Sequence, residues 1–158
     1  MGVGKGSVAR EIIQHSDYMA VDTDDLIESM ENRKIKNIFA QEGEAYFRSL
    51  EKKIALWCEN SLSNTLISTG GGFFKQKNLK KIGKVVLLDA SFETIYGRII
   101  NHPNAQKKLK KRPLFQDLEK AKALYAERRP QYLKVADIVV DVSQKNYESI
   151  AKEILSKI

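Results

Sequence analysis

The sequence predicts a three-layer α/β domain in which helices cover both faces of a parallel sheet. Four short runs rich in β-branched and other apolar residues alternate with longer helical patterns, at 18–22, 65–68, 84–89 and 137–142. Three of these runs are almost continuously apolar, which is typical of strands buried on both faces. Alternating strands and helices favour parallel strands joined by right-handed crossovers.

A single domain is the simplest organisation for a chain of 158 residues. No repeat, low-complexity tract or flexible linker divides the chain, so we expect one domain over residues 1–158. No apolar run approaches the length of a membrane span, and the first residues lack an apolar signal segment. We therefore expect a cytoplasmic protein without a membrane partner.

The predicted helices have recognisable boundaries. Side chains that can cap a first turn precede several helical patterns: Ser7, Asp24 or Asp25, Ser91, and Asp117. Residues 43–62 form one long helical pattern, which carries Cys58 as an expected buried thiol. Pro130 is expected to end or kink the helix that follows Asp117. The apolar residues of the last helix recur at helical spacing and are expected in the core: Tyr147, Ile150, Ala151, Ile154, Leu155 and Ile158.

The opening residues "GVGKGS" form a candidate phosphate loop. Glycines let successive backbone N–H groups turn towards phosphate oxygens, a lysine reaches the terminal phosphates, and the following helix points its positive end at them. Gly4 and Lys5 fit this pattern, whereas Gly6 stands where serine or threonine is usual. A chance glycine cluster remains the alternative at this point.

Two further motifs follow predicted strands, where α/β sheets bind ligands. Asp22 and Asp24 are two residues apart, so in extended geometry they face the same side and can hold Mg²⁺ through water or accept a substrate proton. Helix capping is the alternative role. The triplet 70–72 is entirely glycine, which is costly in entropy and suggests a ligand that touches backbone N–H groups.

Arginines supply the remaining signals. Arg48 and Glu51 are three residues apart on one helical face. They could form a surface ion pair, or Glu51 could hold the guanidinium fork of Arg48 for a substrate carboxylate. Arg112 and Arg128 lie next to or near prolines. The lysine-rich segment 101–116 is expected to be either a mobile flap over nucleotide phosphates or a nucleic-acid patch, and it lacks interleaved aromatics for the second role.

Together and in order, these segments resemble the shikimate kinase family. The resemblance covers essentially the whole chain through "GVGKGS", "VDTD", "IFAQEGEAYFRSLE", "STGGG", "KRPLF" and "ERRPQYLKVAD". It implies the P-loop kinase fold, whose parallel sheet has five strands in the family. The first strand and first loop glycine of that fold are missing here, so we expect that the start lies just inside the loop. It also implies ATP-dependent phosphorylation of the shikimate 3-hydroxyl, with Mg²⁺.

The resemblance also implies roles for individual residues. The ATP phosphates would be bound by Gly2, Val3, Gly4, Lys5, Gly6, Ser7 and Arg112. Shikimate would be bound by Asp24, Arg48, Gly70, Gly71, Gly72, Arg128, Phe39 and Phe47. Asp24, Lys5 and Arg112 would be catalytic, with Asp24 accepting the reacting proton and Arg112 closing from the lid. Asp22 would bind Mg²⁺ through water, and Ser7 is a second candidate metal ligand.

Other functions stay open on the sequence alone. A P-loop kinase acting on gluconate or a nucleoside monophosphate would share the phosphate loop, although it has no need for Arg48, the glycine triplet and Arg128 together. A catalytically impaired nucleotide-binding relative is favoured by Gly6 and by the missing strand. A nucleic-acid-binding domain would account for the net charge of +7, which two anionic substrates explain equally well. We expect a monomer without a nucleic-acid partner.

Overall fold

The computed structural model describes residues 2–110 and 113–158, apart from the side chains of residues 107, 108, 110, 113 and 114. It confirms the α/β class and all four predicted strands, which pair in parallel as two two-stranded sheets. The contacts group the chain into two compact units, described separately below. The N-terminal unit is Gly6–Val85, and the C-terminal unit is Val86–Ile158 with residues 2–5.

The N-terminal unit contains one of the two sheets. Its β1 and β2 pair in register, from Met19 opposite Thr65 to Asp22 opposite Ser68. A 3-10 turn at Phe73–Lys75 follows the glycine triplet. The elements of this part of the chain are α1 (Lys5–Gln14), β1 (Met19–Asp22), α2 (Thr23–Glu31), α3 (Ile35–Ser61), β2 (Thr65–Ser68) and α4 (Leu79–Ile82).

The core of the N-terminal unit forms because α3 buries one apolar stripe against α2 and the turn that follows β2. Its buried members are Ile27, Ile38, Phe47, Leu50, Ile54, Ala55, Cys58 and Phe73. The prediction that Cys58 is a buried thiol is confirmed, and burial raises the pKa of this thiol. This core fixes the face of α3 that carries Arg48.

The structure corrects three predicted helix boundaries in this part of the chain. Helix α1 begins at Lys5, so Ser7 lies within the first turn instead of capping it. Asp22 caps α2, instead of Asp24 or Asp25, because the helix begins at Thr23, directly after the strand. Helix α3 begins at Ile35 and is interrupted at Gly43, whose φ of 80° and ψ of −179° are not helical.

The C-terminal unit contains the second sheet. Val86 lies opposite Ile138 and Asp89 opposite Asp141 in its parallel register. A 3-10 turn at Pro113–Gln116 precedes α7. The elements of this part are β3 (Val86–Asp89), α5 (Phe92–Ile100), α6 (Ala105–Lys110), α7 (Leu118–Val135), β4 (Ile138–Asp141) and α8 (Tyr147–Leu155). None of the helices described in either unit is both long and apolar enough to cross a membrane.

Two capping predictions in the C-terminal unit are confirmed and two other predictions need correction. Ser91 and Asp117 accept hydrogen bonds from first-turn N–H groups of α5 and α7. Pro130 does not end α7, which continues to Val135, and the Gln131 side-chain amide donates to the Glu127 carbonyl beside the proline. The predicted apolar stripe is buried at the centre of α8, whereas Tyr147 at its start and Ile158, beyond its end, are exposed.

Candidate active site

The opening loop has the backbone geometry of a phosphate-binding turn. Gly2 and Gly4 have φ values of 65° and 96°, which favour glycine, and α1 begins directly afterwards at Lys5. A Cβ atom at Gly4 would lie 2.9 Å from Cε1 of Tyr147, so the space around this residue also requires glycine. A turn of this kind at a helix N-terminus directs backbone N–H groups and the positive end of the helix dipole towards an anion.

The other residues of the loop are placed by α1. Lys5 and Gly6 are the first two helical residues, and Val3 is buried. The Ser7 hydroxyl accepts a hydrogen bond of 3.3 Å from NH2 of Arg10, one turn further along. The hydroxyl oxygen keeps a second lone pair, so a metal-binding role for Ser7 stays a prediction.

Asp22 connects the ends of β1 and β2. Its Oδ2 accepts a hydrogen bond of 2.8 Å from the Ser68 hydroxyl, and its Oδ1 accepts one of 2.9 Å from the Asp24 backbone N–H. The expected extended geometry between Asp22 and Asp24 is wrong, because Asp24 lies in the first turn of α2. The two carboxylates therefore have different surroundings.

The donor set fits Mg²⁺ bound mainly through water and substrate phosphate oxygens. No group of three or more His, Cys, Asp or Glu side chains within the described residues could hold a metal ion alone. Mg²⁺ keeps several waters and usually takes only one or two protein carboxylates. Asp22 satisfies this requirement, because each of its oxygens accepts one protein hydrogen bond and retains a lone pair for a metal-bound water.

The glycine triplet makes room for two charged side chains. A Cβ at Gly70 would lie 2.5 Å from Oδ1 of Asp24, and a Cβ at Gly72 would overlap NH1 of Arg48. The Gly70 backbone N–H donates at 3.2 Å to the buried hydroxyl of Thr23, which fastens the loop to the start of α2. The Asp24 carboxylate thus packs against Gly70 and the Arg48 guanidinium against Gly72, two residues further along the same short loop.

Arg48 is held by two carboxylates on its own helix. Its NH1 donates to Glu51 at 2.6 Å, while its Nε and NH2 donate to Glu44 at 3.0 and 2.7 Å. Burial lowers the pKa of Arg48, but the ion pairs with Glu51 and Glu44 outweigh this effect and raise it overall. The guanidinium therefore remains charged and has a fixed orientation.

Phe39 and Phe47 form an apolar surface in the same unit. Their ring centroids are 4.7 Å apart, with Phe47 buried and Phe39 partly open to solvent. The Arg48 guanidinium lies 5.4 Å from the centroid of Phe47, within reach of a cation–π contact. The predicted apolar wall is thus adjacent to the predicted carboxylate-binding arginine.

Of the predicted arginines in the C-terminal unit, only one can be placed. Arg128 is half-buried on α7, and Arg112 lies outside the described residues. Arg129 has a separate structural role, because it binds Asp89 through two hydrogen bonds of 3.0 and 2.7 Å. That pair raises the pKa of Arg129 and joins α7 to the end of β3.

The structure thus brings together most of the predicted substrate-binding residues of the N-terminal unit. Sequence reasoning missed three residues that position others: Ser68 binds Asp22, Thr23 binds the glycine loop and Glu44 binds Arg48. Only Glu44 had a local signal, since it lies four residues before Arg48, the spacing of a helical ion pair. Thr23 and Ser68 act through contacts between distant parts of the chain, which a local pattern does not reveal.

Comparison with known proteins identifies the family. The family profile described as Shikimate kinase matches residues 1–158. The shikimate kinase of Sulfurihydrogenibium sp. is 39% identical over 163 residues, covering 100% of this chain and 93% of the relative. That of Helicobacter hepaticus is 36% identical over 161 residues, covering 98% and 93%.

Solved structures agree with this result. A shikimate kinase from Acinetobacter baumannii, in complex with shikimate, matches with a TM-score of 0.83 and 29% identity, covering 99% of this chain and 87% of that one. The enzyme from Aquifex aeolicus matches with a TM-score of 0.78 and 33% identity, covering 99% and 90%. With its phosphate-loop backbone and the charged pair seated on its glycine triplet, the chain belongs to the shikimate kinase family.

Proposed function

We propose that this chain carries out the reaction of its family, transfer of the γ-phosphoryl group of ATP to the 3-hydroxyl of shikimate. The observation that carries the proposal is the placement of Asp24 and Arg48 against Gly70 and Gly72. A carboxylate that can accept a proton and a guanidinium that can bind a carboxylate thereby pack against one loop. Shikimate carries both a reacting hydroxyl and a carboxylate, so its chemistry matches this pair.

Asp24 acts as the proton acceptor. Its carboxylate hydrogen-bonds the shikimate hydroxyls and takes the proton of the 3-hydroxyl as that oxygen bonds to the γ-phosphorus. The bond from phosphorus to the bridging oxygen breaks, and ADP leaves with its electron pair. Phosphoryl transfer depends mainly on positioning and charge neutralisation, which suits a side chain packed tightly against glycine.

The substrate carboxylate is bound by arginines. Arg48 offers its guanidinium, fixed by Glu51, and Arg128 supplies a second one. Gly71 and its neighbours in the triplet contact the substrate hydroxyls, with the Gly71 N–H as donor. Phe39 and Phe47 cover the apolar face of the substrate ring. This set selects a small ring acid that carries hydroxyl groups.

The phosphates of ATP are bound by the opening loop. Backbone N–H groups of residues 2–7 and the N-terminus of α1 surround the phosphate oxygens. Lys5 neutralises the transferring group, and Arg112 closes onto the phosphates from the lid region 101–116. When bound, Mg²⁺ neutralises charge on the β- and γ-phosphates. Asp22 and Ser7 are the residues that would hold it, Asp22 through water.

We further propose that the protein is a cytoplasmic monomer with no nucleic-acid partner, composed of one domain over residues 1–158. Its positive charge then serves two anionic substrates, ATP and shikimate. Gly6 has no hydroxyl at the position where serine or threonine is usual, so it cannot supply a direct metal ligand. Ser7, one residue later, is the only hydroxyl within residues 2–7.

An ADP-release assay over a panel of acceptors tests the proposal. The panel contains shikimate, gluconate, a nucleoside monophosphate and water, each with ATP and Mg²⁺. We expect turnover with shikimate to exceed that with every other acceptor by orders of magnitude. Comparable turnover with gluconate or a nucleotide, or ATP binding without any turnover, would contradict the proposal and favour another kinase or an impaired relative.

A further inference from the structure

Arg48 binds the carboxylate of Glu44, a residue of its own chain. Oε1 of Glu44 accepts hydrogen bonds from Nε at 3.0 Å and from NH2 at 2.7 Å. These two donors form one edge of the guanidinium, and planar recognition of carboxylates by arginine uses such an edge. Within the protein, Glu44 therefore occupies the arginine in the manner of a ligand.

The two carboxylates on Arg48 are not equivalent. Glu51 is 1% exposed, so breaking its contact would leave a charge buried without its partner. Glu44 is 66% exposed, so its carboxylate can return to water at little cost. Exposed ion pairs contribute only about 0–1 kcal/mol to stability. Glu51 is thus a permanent support, whereas Glu44 can leave.

The backbone next to Glu44 allows this exchange. Gly43 interrupts α3 with a φ of 80°, and a Cβ atom there would meet nothing within 4 Å. The segment before the break is anchored separately, because Arg33 binds Gln41 at 2.8 Å and Glu42 at 3.3 Å. Glu44 is the first residue after the break, so its side chain can swing away without disturbing the turns that carry Arg48.

We propose that Glu44 is a displaceable stand-in for the substrate carboxylate, which occupies Arg48 in the free protein and gives way when shikimate binds. The inference rests on the proposed role of Arg48. It makes Glu44 a residue that determines specificity, because every anion must compete with it. A simple anion competes poorly, whereas a ligand that also contacts Asp24 through its hydroxyls gains enough binding energy to displace it.

The variant Glu44→Gln tests the competition. It keeps the shape and removes the charge, and the exposed position makes misfolding an unimportant outcome. We expect the KM for shikimate to fall by about two- to fivefold, as loss of an exposed ion pair predicts. The KM for ATP and kcat should stay within about twofold, since neither depends on this competition. Glu42→Gln, which removes an exposed carboxylate paired with Arg33, is the matched control and should behave as wild type.

Two inhibitors separate competition from a general effect on the site. A cyclohexene carboxylate without hydroxyls should bind Glu44→Gln more tightly than wild type, by a factor similar to the change in KM. A ring triol that lacks the carboxylate should bind both proteins equally. A higher KM for shikimate in Glu44→Gln, or unchanged binding of the simple carboxylate, would overturn the inference and make Glu44 a support of Arg48.

Failure of the proposed function can be distinguished from failure of the inference about Glu44. Absence of shikimate turnover by the wild-type chain would refute the function itself. Calorimetric titration of the cyclohexene carboxylate into wild type and Glu44→Gln would still decide the role of Glu44. Tighter binding to the variant supports displacement, and equal binding contradicts it.

Discussion

Glu51 accepts a hydrogen bond of 2.6 Å from NH1 of Arg48, and its side chain is only 1% exposed. Water does not solvate this carboxylate, so Arg48 is the group that makes its burial tolerable. The pairing also fixes one side of the guanidinium while the other side faces Glu44. The relationship between Glu51 and Arg48 therefore supports both the stability of α3 and the orientation of the Arg48 guanidinium.

The first prediction concerns Glu51→Gln. The amide keeps one acceptor for Arg48 but loses its charge, so we expect the KM for shikimate to rise about tenfold with little change in the KM for ATP. The free energy of unfolding should fall by about 1.5–3 kcal/mol, the range for a hydrogen bond to a charged group. Steady-state kinetics with each substrate and denaturant unfolding measure these effects.

A matched control for this variant lies on the same helix. Glu59 accepts a hydrogen bond of 2.7 Å from Asn78 and has no proposed contact with substrate. Glu59→Gln should lower stability modestly and leave both KM values unchanged. An equal rise in KM for ATP and shikimate in Glu51→Gln would show a general loss of structure instead of misplacement of Arg48.

The second prediction concerns Asp24→Asn. Removing the proposed proton acceptor should abolish most turnover while ATP affinity stays nearly intact, because the proposed ATP site is the opening loop. Asp25 is the natural control, since it is the neighbouring aspartate of α2 and is exposed. Asp25→Asn should be as active as wild type. Loss of ATP binding in Asp24→Asn would count against the role assigned to this residue.

The third prediction separates the two outer glycines of the triplet. In Gly70→Ala the new methyl group displaces the Asp24 carboxylate, so kcat should fall most. In Gly72→Ala it displaces the Arg48 guanidinium, so the KM for shikimate should rise most. Both constants are measured with saturating ATP. A main effect on KM in Gly70→Ala and on kcat in Gly72→Ala would contradict this assignment.

Gly97→Ala is the control for both glycine variants. Gly97 lies inside α5, and a Cβ atom there would meet nothing within 4 Å. Alanine should therefore stabilise the protein by about 0.5–1 kcal/mol through its higher helix propensity. Its kinetic constants should match those of wild type. A loss of activity in Gly97→Ala would mean that glycine substitutions act through global stability.

The fourth prediction concerns the reactivity of Cys58. Burial raises the pKa of its thiol, so at pH 7–8 a smaller fraction is thiolate than at an exposed cysteine. We expect a disulfide thiol reagent to modify Cys58 only after denaturant is added. Raising the pH should accelerate modification only as it approaches the raised pKa. Rapid stoichiometric modification of the native protein at pH 7 would contradict this prediction.

Local sequence patterns predicted the strands well because short apolar runs are typical of parallel strands, but the expected burial is incomplete, since Met19 and Val139 are exposed. They also predicted the caps at Ser91 and Asp117, whose hydrogen bonds join residues three apart. They misplaced the cap of α2, because they did not reveal that the helix begins at Thr23, directly after the strand, so that Asp22 ends the strand and also caps the helix. They likewise predicted that this helix begins at Gly43 instead of Ile35, since a glycine at a helical break resembles a glycine at a helix start.

The candidate site was predictable in composition and less so in geometry. The glycine triplet indicated a close approach, but which side chains approach it became visible only when Asp24 and Arg48 were found against Gly70 and Gly72. Glu44 was missed because an ion pair four residues apart looks like an ordinary surface feature. The roles in catalysis and binding remain predictions for the experiments above.

Phosphorus NMR of the reaction product tests the central claim most directly. The chain is mixed with ATP, Mg²⁺ and shikimate, and the new phosphate resonance is examined for coupling to the ring protons. The account predicts a phosphate monoester coupled to the proton at carbon 3, formed by wild type and almost lost in Asp24→Asn. Free phosphate alone, or an ester at another hydroxyl, would contradict it.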